Sequence, residues 1–312
     1  MTKLDLSVVI PLLNEVESIY PLYQELNEVL PTLDMNYEII FVDDGSTDGS
    51  FEVIKELHER DRHVKAIQFR RNFGKAEALA AGFDEARGEI IITMDADLQD
   101  EPGEIPRFLA KLEEGFDLVS GWKYPRLDPL SKTLPSRVFN RVTGLVTGIR
   151  LHDLNCGFKA YRHEVLNDIN IYGELHRYIP VLAHWKGYRV EELKIQHRAR
   201  PFGRSKYGPA RFYRSFFDLL TVVFLTQYTR RPLHLFGWLG ILCFLAGVLV
   251  NGYLTVLWFM GERPIGNRPL LMLGVLLVIV GVQFLSFGLL AEMLASLSAP
   301  ASRSYSIKQR LE

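Results

Sequence analysis

The residues best suited to chemistry follow a short apolar run at positions 90–94. Asp95 and Asp97 stand two apart directly after this β-branched run, and Asp100 follows shortly after. A run of this kind predicts a buried strand, so both carboxylates should emerge at the edge of a sheet, within reach of one cation. Carboxylate oxygens without a nearby Cys or His favour Mg²⁺ or Mn²⁺ over zinc. Alternatively, Asp97 caps the next helix and Asp95 is merely solvated.

Short apolar strands alternate with amphipathic helices over residues 6–120. The predicted strands are Leu6–Pro11, Tyr37–Val42, Val64–Phe69, Glu89–Met94 and Phe116–Ser120. The predicted helices are Glu15–Leu30, Thr47–Arg60, Lys75–Arg87 and Gly103–Glu113. This alternation predicts an α/β fold with a mostly parallel sheet covered by helices on both faces.

Polar residues follow four of the predicted strands, at positions 11–15, 43–48, 70–74 and 95–97. Ligands of parallel sheets bind beyond the carboxyl ends of the strands, so these stretches should converge on one rim. The chain lacks a Rossmann G-x-G-x-x-G, and Gly74-Lys75 lacks the rest of a P-loop. The rim therefore predicts a nucleotide site of another kind.

Two long uncharged segments occupy the C-terminal third. No Asp, Glu, Lys or Arg occurs from Pro232 to Gly261 or from Pro269 to Ala291, which are runs of 30 and 23 residues. Each exceeds the roughly 20 residues that cross a bilayer as a helix, so transmembrane helices are predicted at about 233–260 and 269–296. The alternative is a pair of buried core helices. Basic residues before the first segment and after the second predict that both ends are cytoplasmic.

These features divide the chain into four parts, at 1–208, 209–231, 232–298 and 299–312. We expect a cytoplasmic catalytic domain, an interfacial amphipathic helix, two transmembrane helices and a cytoplasmic tail, in that order. The N-terminus leads straight into a strand and offers no signal peptide. The net charge of −1 averages over different regions, and no nucleic-acid partner is predicted. The two cysteines, Cys156 and Cys243, indicate no disulfide framework.

The rim motifs, taken together and in order, resemble those of family 2 glycosyltransferases with the GT-A fold. The motifs are Val8-Val9-Ile10-Pro11 with Asn14-Glu15, Val42-Asp43-Asp44-Gly45-Ser46-Thr47-Asp48, Arg70-Asn72-Gly74-Lys75 and Asp95-Ala96-Asp97. Within the family the chain is similar to polyprenyl-phosphate glycosyltransferases, namely the dolichyl-phosphate mannose synthases and the bactoprenol glucosyltransferases of the GtrB type. The resemblance runs from about residue 6 to 207, and the two C-terminal segments extend it.

This resemblance implies a nucleotide-sugar site made of Pro11, Asn14, Glu15, Asp43, Asp95, Ala96 and Gln99. Asp43 would hydrogen-bond the base, although it could equally be a turn residue. Asp95 would face the ribose or the metal, Asp97 would ligate Mg²⁺ or Mn²⁺, and Gln99 would face the sugar or diphosphate. Asp44, Ser46 and Asp48 are expected to shape a turn and cap the following helix.

The resemblance also implies how the acceptor is held. Lys123 and Arg137 would bind the acceptor phosphate, with Lys123 standing where mannose synthases often carry Arg and so losing bidentate geometry. Asp153 opens a segment similar to the family's D-x-x-(C/S)-G-F and is the candidate base. Because a phosphate monoester is already largely a dianion at pH 7, Asp153 could instead orient the acceptor or shape the pocket.

A basic segment follows the domain core. Arg200 and Lys206 lie in a stretch that resembles the family's R-x-x-G-x-S-K and would clamp the donor diphosphate. Cations at a leaving diphosphate stabilise the charge that grows as the glycosidic bond breaks. The alternative is a juxtamembrane segment that contacts anionic lipid.

The reaction expected from this resemblance is inverting transfer of a hexose from a nucleotide sugar to a polyprenyl phosphate, at the cytoplasmic face of the inner membrane. UDP-glucose with undecaprenyl phosphate is the preferred pair. GDP-mannose with dolichyl phosphate, or a UDP-aminoarabinose derivative, is an alternative. The rivals are a non-catalytic nucleotide-sugar-binding scaffold and an enzyme that glycosylates another lipid such as diacylglycerol. A homo-oligomer, with a tetramer as one form, is also expected from relatives.

Overall fold

The computed structural model describes residues 4–124, 140–145, 147–169, 175–196, 198, 201–202, 221–222, 224, 232–262, 266 and 269–297. The chain divides into two compact units, one up to Val222 and one beyond it. The predicted interfacial helix at 209–231 lies almost wholly outside the described residues, and the tail at 299–312 lies wholly outside them. The four-part division therefore stays a prediction.

A seven-stranded sheet forms the centre of the first unit. Its strands are β1 Leu6–Leu12, β2 Tyr37–Asp43, β3 Val64–Gln68, β4 Ile90–Thr93, β5 Leu118–Lys123, β6 Lys159–Arg162 and β7 Val190–Ile195. The order in the sheet is β3-β2-β1-β4-β6-β5-β7, and β6 is antiparallel to both of its neighbours while the other pairs are parallel. The predicted α/β fold with a mostly parallel sheet is confirmed, and β6 and β7 add two strands to the five predicted.

Helices cover both faces of this sheet. They are α1 Val16–Val29, α2 Ser50–Arg60, α3 Lys75–Glu85, α4 Ile105–Glu113, α5 His163–Asn167 and α6 Ile179–Lys186. Side chains alternate along β1, so that Val8 packs with α1, α2 and α4 on one face while Val9 packs with α3 and α6 on the other. The predicted start of α2 at Thr47 is wrong by three residues, because Gly49 takes a left-handed φ of 89° and ends the turn there.

A buried carboxylate ties three segments together on β2. Glu38 is 3% exposed and accepts hydrogen bonds from the Ser7 hydroxyl at 2.6 Å and the Arg87 N–H at 2.8 Å. Its second oxygen lies 2.8 Å from the Lys65 ammonium. Burial raises the pKa of Glu38, but Lys65, the Ser7 hydroxyl and the Arg87 N–H outweigh it and leave the pKa lowered. Glu38 therefore stabilises the fold in its ionised form.

Replacing Glu38 by glutamine should lower the free energy of unfolding by about 1–3 kcal/mol, because Lys65 loses a buried partner. Because the folded state lowers the pKa of Glu38, this contribution is present above the ordinary glutamate pKa and is lost as pH falls through the lowered value. Thermal unfolding of the full chain in detergent measures the difference at neutral and at acidic pH. Glu85→Gln, which removes a 40% exposed partner of Lys65, is the matched control and should change little. If Glu38→Gln lowers the stability of the chain equally at both pH values, this account is contradicted.

The second unit contains a pair of long helices, α7 Pro232–Phe259 and α8 Pro269–Leu297. Both are long and apolar enough to cross a membrane. Glycines line the seam between them. A Cβ on Gly240 would lie 2.9 Å from the Gly281 carbonyl oxygen, and one on Gly247 would lie 2.7 Å from the Gly274 carbonyl oxygen. The two backbones therefore approach as closely as small residues allow.

Candidate active site

The loops after β1 and β2 are joined by reciprocal hydrogen bonds. The Asn14 N–H donates to the Ser46 hydroxyl at 2.8 Å, and the Thr47 N–H donates to Asn14 Oδ1 at 2.8 Å. The Val16 N–H, at the start of α1, donates to Asp48 Oδ2 at 3.1 Å. Asp48 also accepts the N–H of the first residue of α2 at 3.0 Å, which confirms its expected place at the start of that helix. The two loops therefore form one side of the rim.

Asp43 ends β2 and is fully buried. Its Oδ1 accepts the Ser46 N–H at 2.9 Å, and its Oδ2 accepts a longer bond of 3.3 Å from the Gln68 side chain. Asp43 therefore shapes the turn, as one of its two expected roles requires. Its contact with a nucleotide base stays a prediction.

Asp44 departs from its expected role as a cap for α2. Its carboxylate accepts the Phe73 N–H at 2.7 Å and the Gly74 N–H at 3.0 Å, so it holds the loop between β3 and α3 instead. Gly45 completes this contact, since a Cβ there would lie 2.5 Å from the Arg71 carbonyl carbon. The expectation for Asp44 was wrong because a carboxylate in a turn can bind any nearby N–H, including one on a neighbouring loop.

Asp95 follows β4 and forms an ion pair with Lys75, the first residue of α3. Burial raises the pKa of Asp95, but Lys75, Lys123 and Lys159 outweigh it and lower the pKa to about 2. Gly157 packs against the same carboxylate, because a Cβ there would lie 2.6 Å from Asp95 Oδ1. The alternative that Asp95 is merely solvated is wrong. Asp95 is an ionised group held in a defined position.

Asp97 follows in a tight turn. Its side chain is buried, at 7% exposure, and Oδ1 accepts the Gln99 N–H at 3.2 Å. Leu98, the next residue, takes a left-handed φ of 59°, which is unusual for a residue of its size. The Asp97 carboxylate is therefore held within a tight turn by the Gln99 N–H.

Lys123 is the last residue of β5. It is 9% exposed, and its ammonium lies 2.8 Å from Oδ1 of the fully buried Asp100. Burial lowers the pKa of Lys123, but Asp100 and Asp95 raise it by more. The net pKa is raised, so the ammonium stays charged. An acceptor phosphate would have to share the ammonium with Asp100 or displace it, and displacement would leave a buried carboxylate unpaired, which is costly. Lys123 is thus committed to Asp100 in this structure, and its predicted contact with the acceptor stays a prediction.

Asp153 lies in the loop before β6 and is 2% exposed. Its Oδ1 accepts the Asn155 N–H at 3.2 Å, and its own N–H donates to Glu192 at 2.8 Å. Among the residues that the structure describes, none hydrogen-bonds to Oδ2, which is buried. A buried carboxylate oxygen without a hydrogen-bond partner is costly, so Oδ2 is available to a hydrogen-bond donor on a bound substrate.

A cavity opens beside Asp95. It is lined by Pro11, Lys75, Leu79, Thr93, Met94, Asp95, Asn155, Cys156, Gly157, Lys159, Tyr161, His176 and Arg177. His176 is 9% exposed, and burial together with Lys75, Arg177 and Lys159 holds its pKa well below the usual range, so the imidazole is neutral at pH 7. The sequence analysis did not single out Lys159. A buried charge needs a partner, so a lysine at the start of a buried strand was the signal that could have identified it.

Cys156 is 2% exposed, and burial, reinforced by Asp100 and Asp153 against Lys123 and Lys159, raises the pKa of its thiol to about 12. We therefore expect the thiol to be unreactive in the folded protein. In a Cys243→Ser variant, N-ethylmaleimide at mildly alkaline pH should leave Cys156 unmodified and should modify it fully after denaturation. Mass spectrometry measures both states. Rapid labelling of the folded protein would contradict the burial of the thiol.

Arg137, Arg200 and Lys206 lie outside the described residues. The start of the basic segment is described at Arg198, whose guanidinium lies 2.9 Å from Glu25 and 2.8 Å from Glu101. The Arg198 N–H also donates to the Gln99 carbonyl oxygen at 3.2 Å. The basic segment therefore begins beside the turn that carries Asp97.

The donor set at the rim fits a hard cation that is shared with a substrate. Among the described residues, no three His, Cys, Asp or Glu side chains cluster in a way that could hold a metal ion. Mg²⁺, however, is commonly held by one or two carboxylates together with substrate phosphates. Asp95 and Asp97 provide two carboxylates in one turn, and the low pKa of Asp95 keeps it ionised. These two residues would hold Mg²⁺ or Mn²⁺ together with a diphosphate.

Sequence comparisons match both units. Residues 7–169 match the model described as glycosyl transferase family 2, and residues 231–297 match the GtrB C-terminal hairpin. Dodecaprenyl-phosphate galacturonate synthase of Rhizobium johnstonii is 38% identical over 314 residues, covering 98% of this chain and 93% of the relative. Undecaprenyl-phosphate 4-deoxy-4-formamido-L-arabinose transferase of Salmonella choleraesuis is 36% identical over 288 residues, covering 92% and 86%.

Solved structures with a similar fold include glucosyl-3-phosphoglycerate synthase from Mycobacterium tuberculosis. Its complex with Mn²⁺, UDP-glucose and phosphoglyceric acid has a TM-score of 0.56 at 21% identity and covers 70% of this chain and 80% of its own. Its complex with Mn²⁺, UDP and glucosyl-3-phosphoglycerate has a TM-score of 0.54 at 19% identity and covers 72% and 80%. At these identities the likeness concerns the fold.

Proposed function

Because this chain belongs to glycosyl transferase family 2, and within it to the polyprenyl-phosphate sugar transferases, we propose that it moves one hexose from a nucleotide sugar to a polyprenyl phosphate. The proposal depends on one observation: the chain carries both the Asp95–Asp97 turn and a buried Asp153 Oδ2 that has no hydrogen-bond partner among the described residues. Two carboxylates in one turn suit a cation that is shared with a donor diphosphate, and Oδ2 can accept a hydrogen bond from a protonated acceptor phosphate. A membrane-bound acceptor also accounts for two helices long enough to span a bilayer.

In this proposal the donor lies along the rim. Pro11, Asn14 and Glu15 line the nucleotide pocket, and Asp43 hydrogen-bonds the base through Oδ2, whose described contact is long at 3.3 Å. Ala96 and Gln99 lie beside the sugar diphosphate. The Mg²⁺ or Mn²⁺ held by Asp95 and Asp97 would neutralise charge on the leaving diphosphate when bound. Arg200 and Lys206 add cations at the same diphosphate.

The acceptor phosphate oxygen attacks the anomeric carbon as the glycosidic bond to the diphosphate breaks, which inverts the configuration there. Arg137, with Lys123 as the second candidate, binds this phosphate. Because the phosphate is largely a dianion at pH 7, little proton removal is needed. A dianion has no O–H to donate to Oδ2, so Asp153 orients the acceptor only in its monoanionic form, where general-base help is the alternative, and beside the dianion it shapes the pocket.

We propose UDP-glucose as the donor and undecaprenyl phosphate as the acceptor, on the strength of the GtrB-type hairpin. The names of the two relatives refer to galacturonate and 4-deoxy-4-formamido-L-arabinose, so activated forms of these sugars are alternatives, as is GDP-mannose with dolichyl phosphate. We also propose that both termini and the catalytic domain lie on the cytoplasmic side of the inner membrane. Arg230 and Arg231 before the first helix, and Arg303, Lys308 and Arg310 after the second, support this orientation. A homo-oligomer, in which a tetramer is one option, completes the proposal.

A donor panel tests the reaction class and the sugar together. The full chain in detergent receives undecaprenyl phosphate, Mg²⁺ or Mn²⁺, and one radiolabelled nucleotide sugar at a time, with a parallel series on diacylglycerol. We expect a chelator-sensitive lipid product from UDP-glucose. A product from a different sugar alone would correct the donor, and a product on diacylglycerol alone would correct the acceptor. Nucleotide binding without any lipid product would favour the non-catalytic scaffold.

A further inference from the structure

Glu192 lies in β7 and binds the loop that carries Asp153. Its Oε1 accepts the N–H groups of His152 and Asp153, both at 2.8 Å. Its Oε2 accepts the His152 N–H at 3.0 Å and lies 2.7 Å from His152 Nδ1. The Glu192 side chain is 8% exposed, whereas the His152 side chain is 63% exposed, so Glu192 holds the loop from the buried side. One carboxylate thus fixes two successive backbone amides and a ring.

The same loop is held from a second direction. The Trp122 ring, on β5, stacks on the His152 ring with a centroid distance of 4.0 Å and an interplanar angle of 9°. The Lys194 ammonium lies 4.8 Å from the centre of the Trp122 ring. Strands β5 and β7 are paired in parallel, with Ser120 opposite Glu192, so both supports come from one rigid part of the sheet. His152 is therefore clamped between a carboxylate and an aromatic ring.

These contacts determine where the Asp153 carboxylate lies. The Asp153 N–H is fixed by Glu192, and its Oδ1 accepts the Asn155 N–H at 3.2 Å. With backbone and one oxygen held, Oδ2 is left buried and without a partner among the described residues. Loss of Glu192 would release two N–H groups and let the loop, and Oδ2 with it, move.

We propose that Glu192 is a positioning residue for sugar transfer, acting through the Asp153 loop. This inference rests on the proposed function. Group transfer is sensitive to displacements of about 1 Å in groups that touch the reactants, and supporting residues commonly change activity by about 10–100-fold. Within the described part of the chain, the side-chain contacts of Glu192 do not include Asp43 or Asn14, which lie on the nucleotide side of the rim. Its loss should therefore affect turnover and leave nucleotide binding intact.

The kinetic test uses the full chain in detergent with the donor and lipid that the panel identifies. Glu192→Ala should lower kcat by about 10–30-fold and change the affinity for the nucleoside diphosphate by less than about twofold. Glu192→Gln keeps one carbonyl acceptor and should show a smaller loss. Glu164→Ala, which removes an exposed glutamate side chain on α5, is the matched control and should retain activity. An unchanged kcat in Glu192→Ala would overturn the proposal.

A double-mutant cycle separates positioning from general damage to the fold. If Glu192 acts through Asp153, adding Glu192→Ala to Asp153→Asn should cost no more than about twofold further. Multiplication of the two single losses would overturn the proposal, because it would mean that Glu192 acts elsewhere.

Hydrogen exchange gives a readout that does not depend on turnover. The amides of His152 and Asp153 should exchange faster in Glu192→Ala than in the parent chain, with unchanged exchange in β1 and β2. Unchanged protection of these amides would overturn the placement of Glu192. A parent chain that transfers no sugar to any lipid would instead overturn the proposed function, and the exchange result would still decide whether Glu192 holds the loop.

Discussion

Asp97→Asn is expected to lower the rate of sugar transfer by about a thousandfold, the largest effect of any substitution considered for this chain. The amide keeps the shape of the side chain but removes the charge and one of the two oxygens. The parent side chain is buried and already directed by the Gln99 N–H, so a replacement has little freedom to adapt. Single-turnover transfer of a radiolabelled sugar to polyprenyl phosphate measures the loss.

Asp84→Asn, on the exposed side of α3, makes the same chemical change away from the rim and should leave transfer unaltered. Binding adds a second comparison. If Asp97 shares a cation with the diphosphate, Mn²⁺ should strengthen nucleoside-diphosphate binding to the parent chain and do so much less in Asp97→Asn. Full activity in Asp97→Asn would contradict the hypothesis that the Asp95–Asp97 turn holds a metal needed for transfer.

Gly157→Ala is expected to lower transfer by about a hundredfold, through the addition of a single methyl group. A Cβ at this position would lie 2.6 Å from Oδ1, 2.7 Å from Cγ and 2.7 Å from Oδ2 of Asp95. The carboxylate is the end of a side chain and can move, but it is also held by Lys75, so moving it disturbs that ion pair. The requirement for glycine at 157 is one of space, since a whole carboxylate occupies the volume that a side chain would fill.

Gly103→Ala is the matched control, because its nearest neighbour, Glu101, would lie 3.8 Å from the new Cβ. It should retain activity. Thermal unfolding of both variants establishes that each is folded, and nucleotide binding to Gly157→Ala separates a displaced Asp95 from a collapsed site. Normal transfer by a folded Gly157→Ala variant would show that Asp95 need not hold its observed position.

The central part of the fold could be predicted from the sequence because apolar runs and amphipathic periods are local signals. Strands β1 to β5 and helices α1 to α4 follow such signals within a few residues. Strand β6 could not be found this way, since its four residues, Lys159–Arg162, include two cations and no alternation of apolar and polar side chains. Strand β7 carries a short signal, because polar and apolar residues alternate from Glu192 to Ile195, but its three charged residues make that signal weak.

The site was predictable in its residue types but not in its pairings. Asp95, Asp97 and Asp153 stand out because each occurs in a recognisable motif. Their partners lie far away in the chain: Lys75 binds Asp95, and Glu192 binds the amide of Asp153. Such ion pairs and amide contacts depend on how loops meet in three dimensions, which no local pattern records.

The position of β6 also has a consequence for how the protein is made. Ile90–Thr93, the isoleucine-rich β4, pairs with β1 on one side and with β6 on the other. During synthesis at about 5–20 residues per second, β6 emerges roughly 3–13 seconds after β4. Strand β5 emerges in between, beside an open β4 edge that it must not occupy. The sheet can therefore reach its final order only after β6 has been made and has inserted between β4 and β5.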